Sequence, residues 1–171
     1  MPKKSPAPER VDARVVDSHC HLQSFEATER EEVLDAARAR GVGGFLVPSI
    51  ELDDRSLLLE LSDRHPDVWC SAGCHPNHAE TWRRGDAERL ADAARDLRIV
   101  AIGECGLDFH YDRSPRAHQE RVMREQWEVA VDLGLPVIVH NRDSNARMLE
   151  IRRRPEFDAL RVDFHSFSGG A

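Results

Sequence analysis

Short apolar runs alternate with amphipathic segments along the chain, and this alternation limits the fold more than any other feature. Extended runs fall at residues 14–17, 44–50, 68–72, 98–102, 136–139 and 160–164. Between them, apolar residues recur at three- and four-residue spacing: Val33, Leu34 and Ala37; Leu57, Leu58 and Leu61; Met123, Trp127, Ala130 and Val131. That spacing predicts helices at 26–40, 53–64, 86–97 and 144–153, plus one opened by Ser114 and Pro115 and closed by Gly134. Gly41 and Asp86 are the expected stop of the first helix and cap of the third. Strands that are apolar without alternation are covered on both faces, and helical crossovers make neighbouring strands parallel. The class is therefore α/β. A closed barrel of eight such units takes about 250 residues, so a chain of 171 residues predicts about six of the eight units of a TIM-type (β/α)8 barrel. A complete open sheet of six strands is the alternative.

Composition narrows the function. With 40% apolar residues the chain can build one core, and no window approaches the ~18 apolar residues of a membrane span. Residues 1–12, with Pro2, Pro6 and Pro8 among basic residues, read as a flexible N-terminal tail, and 13–171 as one incomplete barrel domain. The tail lacks the apolar stretch of a signal peptide. Cys20, Cys70, Cys74 and Cys105 are expected to be reduced thiols, and the protein cytoplasmic. A net charge of −7 argues against broad attraction to nucleic acid, though not against a nuclease that uses cations. Lys3 and Lys4 are the only lysines. Schiff-base, P-loop and carbamylated-lysine chemistry is thereby excluded from the folded part.

In parallel α/β folds, sites gather at the carboxyl ends of the strands. There the first strand runs into Asp17, His19 and His21, and the third into His75 and His78. The fourth runs into Glu104 and Asp108, the fifth into His140, Asn141 and Arg142, and the sixth into His165. Only the second, ending near Glu51, brings no such group; Glu51 is expected to face solvent. His19 and His21, two residues apart on extended chain, point the same way and can share a metal ion, with Cys20 opposed. Glu104, flanked by Gly103 and Gly106, leaves a buried strand, where an unpaired carboxylate is costly. Either a cation bridges there or Arg142 pairs with it. His140 and His165 offer neutral nitrogen, and Asp17 an acceptor for a ligand imidazole. Two divalent ions about 4 Å apart on a shared carboxylate suit phosphodiester hydrolysis. Arg142 and Arg113 are candidate phosphate contacts, with Arg116 beside them. His75 is placed to contact phosphate or move protons, and Tyr111 and Phe109 either stack on a base or pack in the core.

These residues resemble the TatD family of metal-dependent deoxyribonucleases, a branch of the amidohydrolase-like barrels. The resemblance runs through Asp17-Ser18-His19-Cys20-His21-Leu22, Gly73-Cys74-His75-Pro76 and Ile102-Gly103-Glu104-Cys105-Gly106-Leu107-Asp108. It continues through Ser114-Pro115-Arg116, Gln119, Gln126, Leu133-Gly134-Leu135-Pro136-Val137, His140-Asn141-Arg142 and His165-Ser166-Phe167-Ser168-Gly169. It implies a metal-dependent hydrolase barrel that cleaves DNA phosphodiesters, with ligands at His19, His21, Glu104, His140 and His165 and a last Asp beyond Ala171. Ser166 and Asn141 stand where Cys and Ser are frequent. The implied cofactors are divalent cations, two per site, with Mg, Mn and Zn not distinguished. DNA is the expected partner, with no membrane and no obligate protein partner. Two other readings stay open: a related barrel hydrolase of amides or esters, and a non-catalytic metal-binding remnant.

Overall fold

A computed structural model of the chain describes residues 15–167. The expected tail, the Arg14 start of the first strand and the Ser168-Gly169-Gly170-Ala171 end lie outside the described residues. Eleven main elements follow one another: β1 (Val15–Asp17), α1 (Ala27–Arg38), β2 (Val42–Val47), α2 (Arg55–Arg64), β3 (Val68–Ala72), α3 (Asp86–Ala93), β4 (Ile99–Asp108), α4 (Arg116–Leu133), β5 (Val137–Arg142), α5 (Asn145–Arg152) and β6 (Val162–Phe164). All strand pairs are parallel, and their order in the sheet is their order in the sequence. This is the wall of a half-barrel with six strands, the α/β architecture expected from the alternation.

Packing explains the agreement. Leu34, Leu58, Leu61, Leu90, Met123, Trp127 and Met148 from the helices are buried in one cluster with Phe45, Val47, Cys70, Ile102, Val137 and Val139 from the strands. Each buried aliphatic side chain is worth roughly 1.5–3 kcal/mol in area removed from water. The helical spacing therefore located most of the core. Val33 is the exception, facing outward at 37% exposure.

Element ends differ more. β4 runs on to Asp108 and β5 to Arg142, well past the apolar residues that suggest them. Glycine permits the first extension. Gly106 has φ +147°, and a Cβ there would collide with the His140 carbonyl oxygen. At Gly103 (φ +132°) a Cβ would lie 2.5 Å from the Ile138 carbonyl oxygen. Only glycine lets β4 approach β5 this closely while carrying Glu104 between them. Helix caps also shift. Pro115, not Ser114, holds the N-cap of α4, and the Ser114 hydroxyl accepts from the Glu80 N–H at 3.4 Å instead. Gly85, not Asp86, caps α3, which ends at Ala93. Gly134 closes α4 in the left-handed region, as expected.

Candidate metal centre

β1 ends at Asp17, so His19 and His21 do not stand on extended chain. They converge in the turn that follows, with their Nε2 atoms 3.1 Å apart. Asp17 shapes that turn. Its Oδ1 accepts the His19 backbone N–H at 3.1 Å and, among the described residues, reaches no imidazole nitrogen, in contrast to the acceptor role expected of it. Cys20 does face the other way, its thiol donating to the Leu46 carbonyl at 3.4 Å.

Glu104 sits at the centre, 1% exposed. Its Oε1 lies 2.8 Å from His165 Nε2 and 3.0 Å from His140 Nδ1, with His75 Nε2 at 3.6 Å. Its Oε2 lies 3.2 Å from His19 Nε2 and 3.4 Å from His21 Nε2. Among the described residues no arginine pairs with it, so the expected alternative of Arg142 is not what satisfies this carboxylate. Burial alone would push its pKa up. Hydrogen bonds from His140, His165, His19 and His21 outweigh burial and hold the group well below the usual carboxylate range.

The donor set fits divalent cations. With metal–ligand bonds of ~2.1 Å, neighbouring ligand atoms stand about 3–3.5 Å apart, and that is the spacing around Glu104. His19, His21 and Glu104 form one group whose ligand atoms could hold an ion, and His75, Glu104 and His140 form another. Neutral imidazoles with one buried carboxylate suit ions of borderline hardness.

Asp108 holds a place that sequence reasoning left unassigned. Its side chain is fully buried, and its Oδ2 meets His140 Nε2 at 3.1 Å. Its Oδ1 accepts the backbone N–H groups of His110 (3.1 Å) and Tyr111 (2.8 Å). A carboxylate behind a ligand imidazole fixes the ring and frees the opposite nitrogen. Here the opposite nitrogen is Nδ1, 3.0 Å from Glu104 Oε1: the protonated ring donates to both carboxylates, and the neutral ring that keeps its proton for Asp108 turns the Nδ1 lone pair toward Glu104. Burial would lower the His140 pKa, but the Glu104 and Asp108 carboxylates raise it. The signal for Asp108 was its position on the same strand as Glu104.

Two glutamines of α4 hold the loops in place. Gln119 accepts from the Asp108 N–H (2.7 Å) and donates to the Asp108 carbonyl (3.1 Å). Gln126 does the same for Cys74, at 2.8 and 3.0 Å. Ser49 and Ser71 complete the support. The Ser49 carbonyl accepts the Glu104 N–H at 2.9 Å, and the Ser71 hydroxyl donates to the Gly103 carbonyl.

His75 lies beside the cluster. Its Nδ1 accepts the Asn77 backbone N–H at 3.1 Å, so the neutral ring carries its proton on Nε2, toward Glu104. Burial, the dominant influence, pushes its pKa down to about 4. In this tautomer Nε2 donates a hydrogen bond, and the ring becomes a ligand there, beside Glu104 and His140, only by giving up that proton. His78 adjoins it, its Nδ1 2.6 Å from Glu51 Oε1. Glu51, expected in solvent, is thus a partner at the rim.

The arginines divide. Arg142 is exposed and stands two residues beyond His140 on β5, hence on the same face. Arg113 is exposed and lines a recess of about 180 Å³ with His21, Ile50, His75, Asn77 and His78. Neither has a carboxylate partner among the described residues. Arg116 does, pairing with Asp112 at 3.1 Å and lying over the Phe109 ring.

With this geometry in view, the comparisons with known proteins are informative. A family model described as TatD related DNase matches residues 16–171. The chain belongs to the TatD-related DNase family. It is 40% identical over 142 residues to the 3'-5' ssDNA/RNA exonuclease TatD of Cronobacter sakazakii, covering 82% of this chain and 54% of that relative. It is 31% identical over 156 residues to the uncharacterized metal-dependent hydrolase YabD of Bacillus subtilis, covering 91% and 61%. Among solved structures, YjjV, a TatD homologue from Escherichia coli, superposes with a TM-score of 0.79 at 30% identity, over 91% of this chain and 61% of that one. A TatD family hydrolase from Entamoeba histolytica gives 0.80 at 19% identity, which speaks to the fold alone. The chain thus spans between half and two thirds of the length of these TatD relatives.

Proposed function

We propose that this site hydrolyses phosphodiester bonds of DNA with the help of two divalent cations, one on each side of Glu104. The observation that supports this most is the division of labour at that carboxylate. One oxygen faces His140 and His165, the other His19 and His21. Divalent cations held there would acidify water and neutralise charge developing on the phosphoryl group.

In this reading the protein's own groups set geometry. Glu104 joins the two sides, and Asp108 keeps the His140 Nδ1 directed inward. Asp17 fixes the turn that brings His19 to His21. His75, with its proton on Nε2, donates to a non-bridging phosphate oxygen beside Glu104. Arg142 and Arg113 hold the sugar–phosphate strand by charge. Water adds to phosphorus as a P–O ester bond breaks, and the leaving oxygen takes the proton. The TatD names carried by relatives support nucleic acid as substrate, and four free thiols support a reducing, cytoplasmic setting.

The test is hydrolysis of a labelled single-stranded oligonucleotide with Mg²⁺ or Mn²⁺, and with EDTA. Turnover that requires the metal and falls on the order of 10³-fold in Glu104→Ala is expected. Equal turnover in EDTA, or an unaffected Glu104→Ala, would refute the reading.

A further inference from the structure

The loop that follows β4 carries a feature that the metal chemistry does not use. Tyr111, the only tyrosine in the chain, is 59% exposed although it sits beside a buried site. Its neighbour Phe109 packs against the core instead, under the Arg116 guanidinium at 4.4 Å. Of the two aromatics that could take a base, only Tyr111 is free to do so. It is held in place, not loose: its N–H is anchored on Asp108, the same carboxylate that holds His140. The His110 ring meets it edge-on at 4.8 Å, and His110 Nδ1 lies 3.0 Å from Asp143 Oδ2. The Arg113 guanidinium lies 5.5 Å from the tyrosine ring centroid and also lines the recess shared with His21, His75 and His78. In that recess the Arg113 guanidinium supplies the charged donors, while His78 is taken up by Glu51, its Nδ1 2.6 Å from Glu51 Oε1.

We propose that Tyr111 and Arg113 form a nucleotide subsite next to the metal centre, Arg113 taking the phosphate that adjoins the scissile one, and Tyr111 stacking on that nucleotide's base. The subsite rests on the nuclease reading above and adds specificity to it. A phosphate in the recess lies beside His21 and His75, and Arg113 spans from there to the tyrosine. Phosphate and base of one nucleotide are therefore served by adjacent groups of one loop. Aromatic platforms bind any base because every base has a π-face.

A single tyrosine makes the test direct. Protein labelled with ¹³C at the tyrosine Cε positions gives one ring signal, to be followed by NMR in Ca²⁺ as a short oligodeoxythymidine is added, and again with an abasic oligomer of the same length. Stacking predicts an upfield shift with the first and none with the second. In fluorescence anisotropy, Tyr111→Ala should weaken the oligodeoxythymidine about five- to hundredfold, with the abasic oligomer unchanged. Tyr111→Phe should bind like the wild type, and Arg113→Ala should weaken both ligands. An unmoved tyrosine signal, or equal losses on both ligands in Tyr111→Ala, overturns the subsite while leaving the nuclease reading intact. Wild-type protein that binds neither oligomer overturns both.

Discussion

The two ends of the parallel sheet handle charge in opposite ways. At the amino ends of the strands, opposite charges meet in pairs. Arg38 grips Asp67 with two bonds of 2.8 and 2.7 Å, and Arg98 grips Asp96 with bonds of 2.8 and 2.6 Å while also reaching Asp63. At the carboxyl ends, five imidazoles surround one buried carboxylate, and among the described residues Asp108 adds a second carboxylate to the group. Paired charge of the first kind ties helices to strands. A cluster of imidazoles around one carboxylate is instead a set of donors able to hold a divalent cation, and such clusters at the carboxyl ends of parallel strands are candidates for function.

The largest effect should come from supplying that cation. With a divalent ion at one hundred times its Kd, the wild type gains about 2.7 kcal/mol of stability, visible as a rise in Tm. Glu104→Ala should show no rise, because both sides lose their shared ligand. A similar rise in that variant would move the metal elsewhere and break the contrast between the ends.

A second prediction sharpens the contrast within the carboxyl end. Asp108→Asn should lower metal affinity about 10–100-fold, measured by calorimetric titration, since the carboxylate behind His140 is lost. Asp17→Asn should leave affinity unchanged, because that side chain shapes backbone only. Equal losses would show that Asp17 acts on a ligand after all.

The smallest effect belongs to the amino end. A hydrogen bond from Arg38 holds the Asp67 carboxyl below its usual value, outweighing burial. A carboxylate lowered in this way contributes stability that is fully present above its unfolded pKa of about 3.9. The contribution is lost as pH falls through the folded value. Asp67→Asn should therefore cost about 1 kcal/mol at pH 7, and the two proteins should converge in urea melts below about pH 4. Metal binding should not change. A constant difference across pH, or a change in metal affinity, would contradict the separation of the two ends.

How much of this was legible in advance differs by residue. The Glu104 cluster followed from its chemistry, since a His or carboxylate after nearly every strand is a local pattern. Asp108 was written in the same motif as Glu104, yet its partner His140 is thirty-two residues away, and no local pattern distinguishes an acceptor behind a ligand from a solvated carboxylate. Glu51 is a similar case: its pairing with His78 depends on how two loops fold over each other. Tyr111 and Phe109 share the same aromatic character, and only burial separates the one that faces solvent from the one that packs.

The sequence by itself determined the parallel α/β wall, because apolar periodicity and helix-stop residues are local and leave few ways to bury the strands. It also determined which side chains gather at one end of that wall, since parallel strands all point their carboxyl ends the same way. Tertiary structure alone decided the register: how far β4 and β5 extend once glycines let them approach, and which oxygen of Glu104 faces which imidazoles. It also decided that Asp108 meets the His140 ring while Asp17 meets the His19 backbone. Those outcomes depend on distances of a few ångströms between residues far apart in the chain, where spacing along the sequence carries no information.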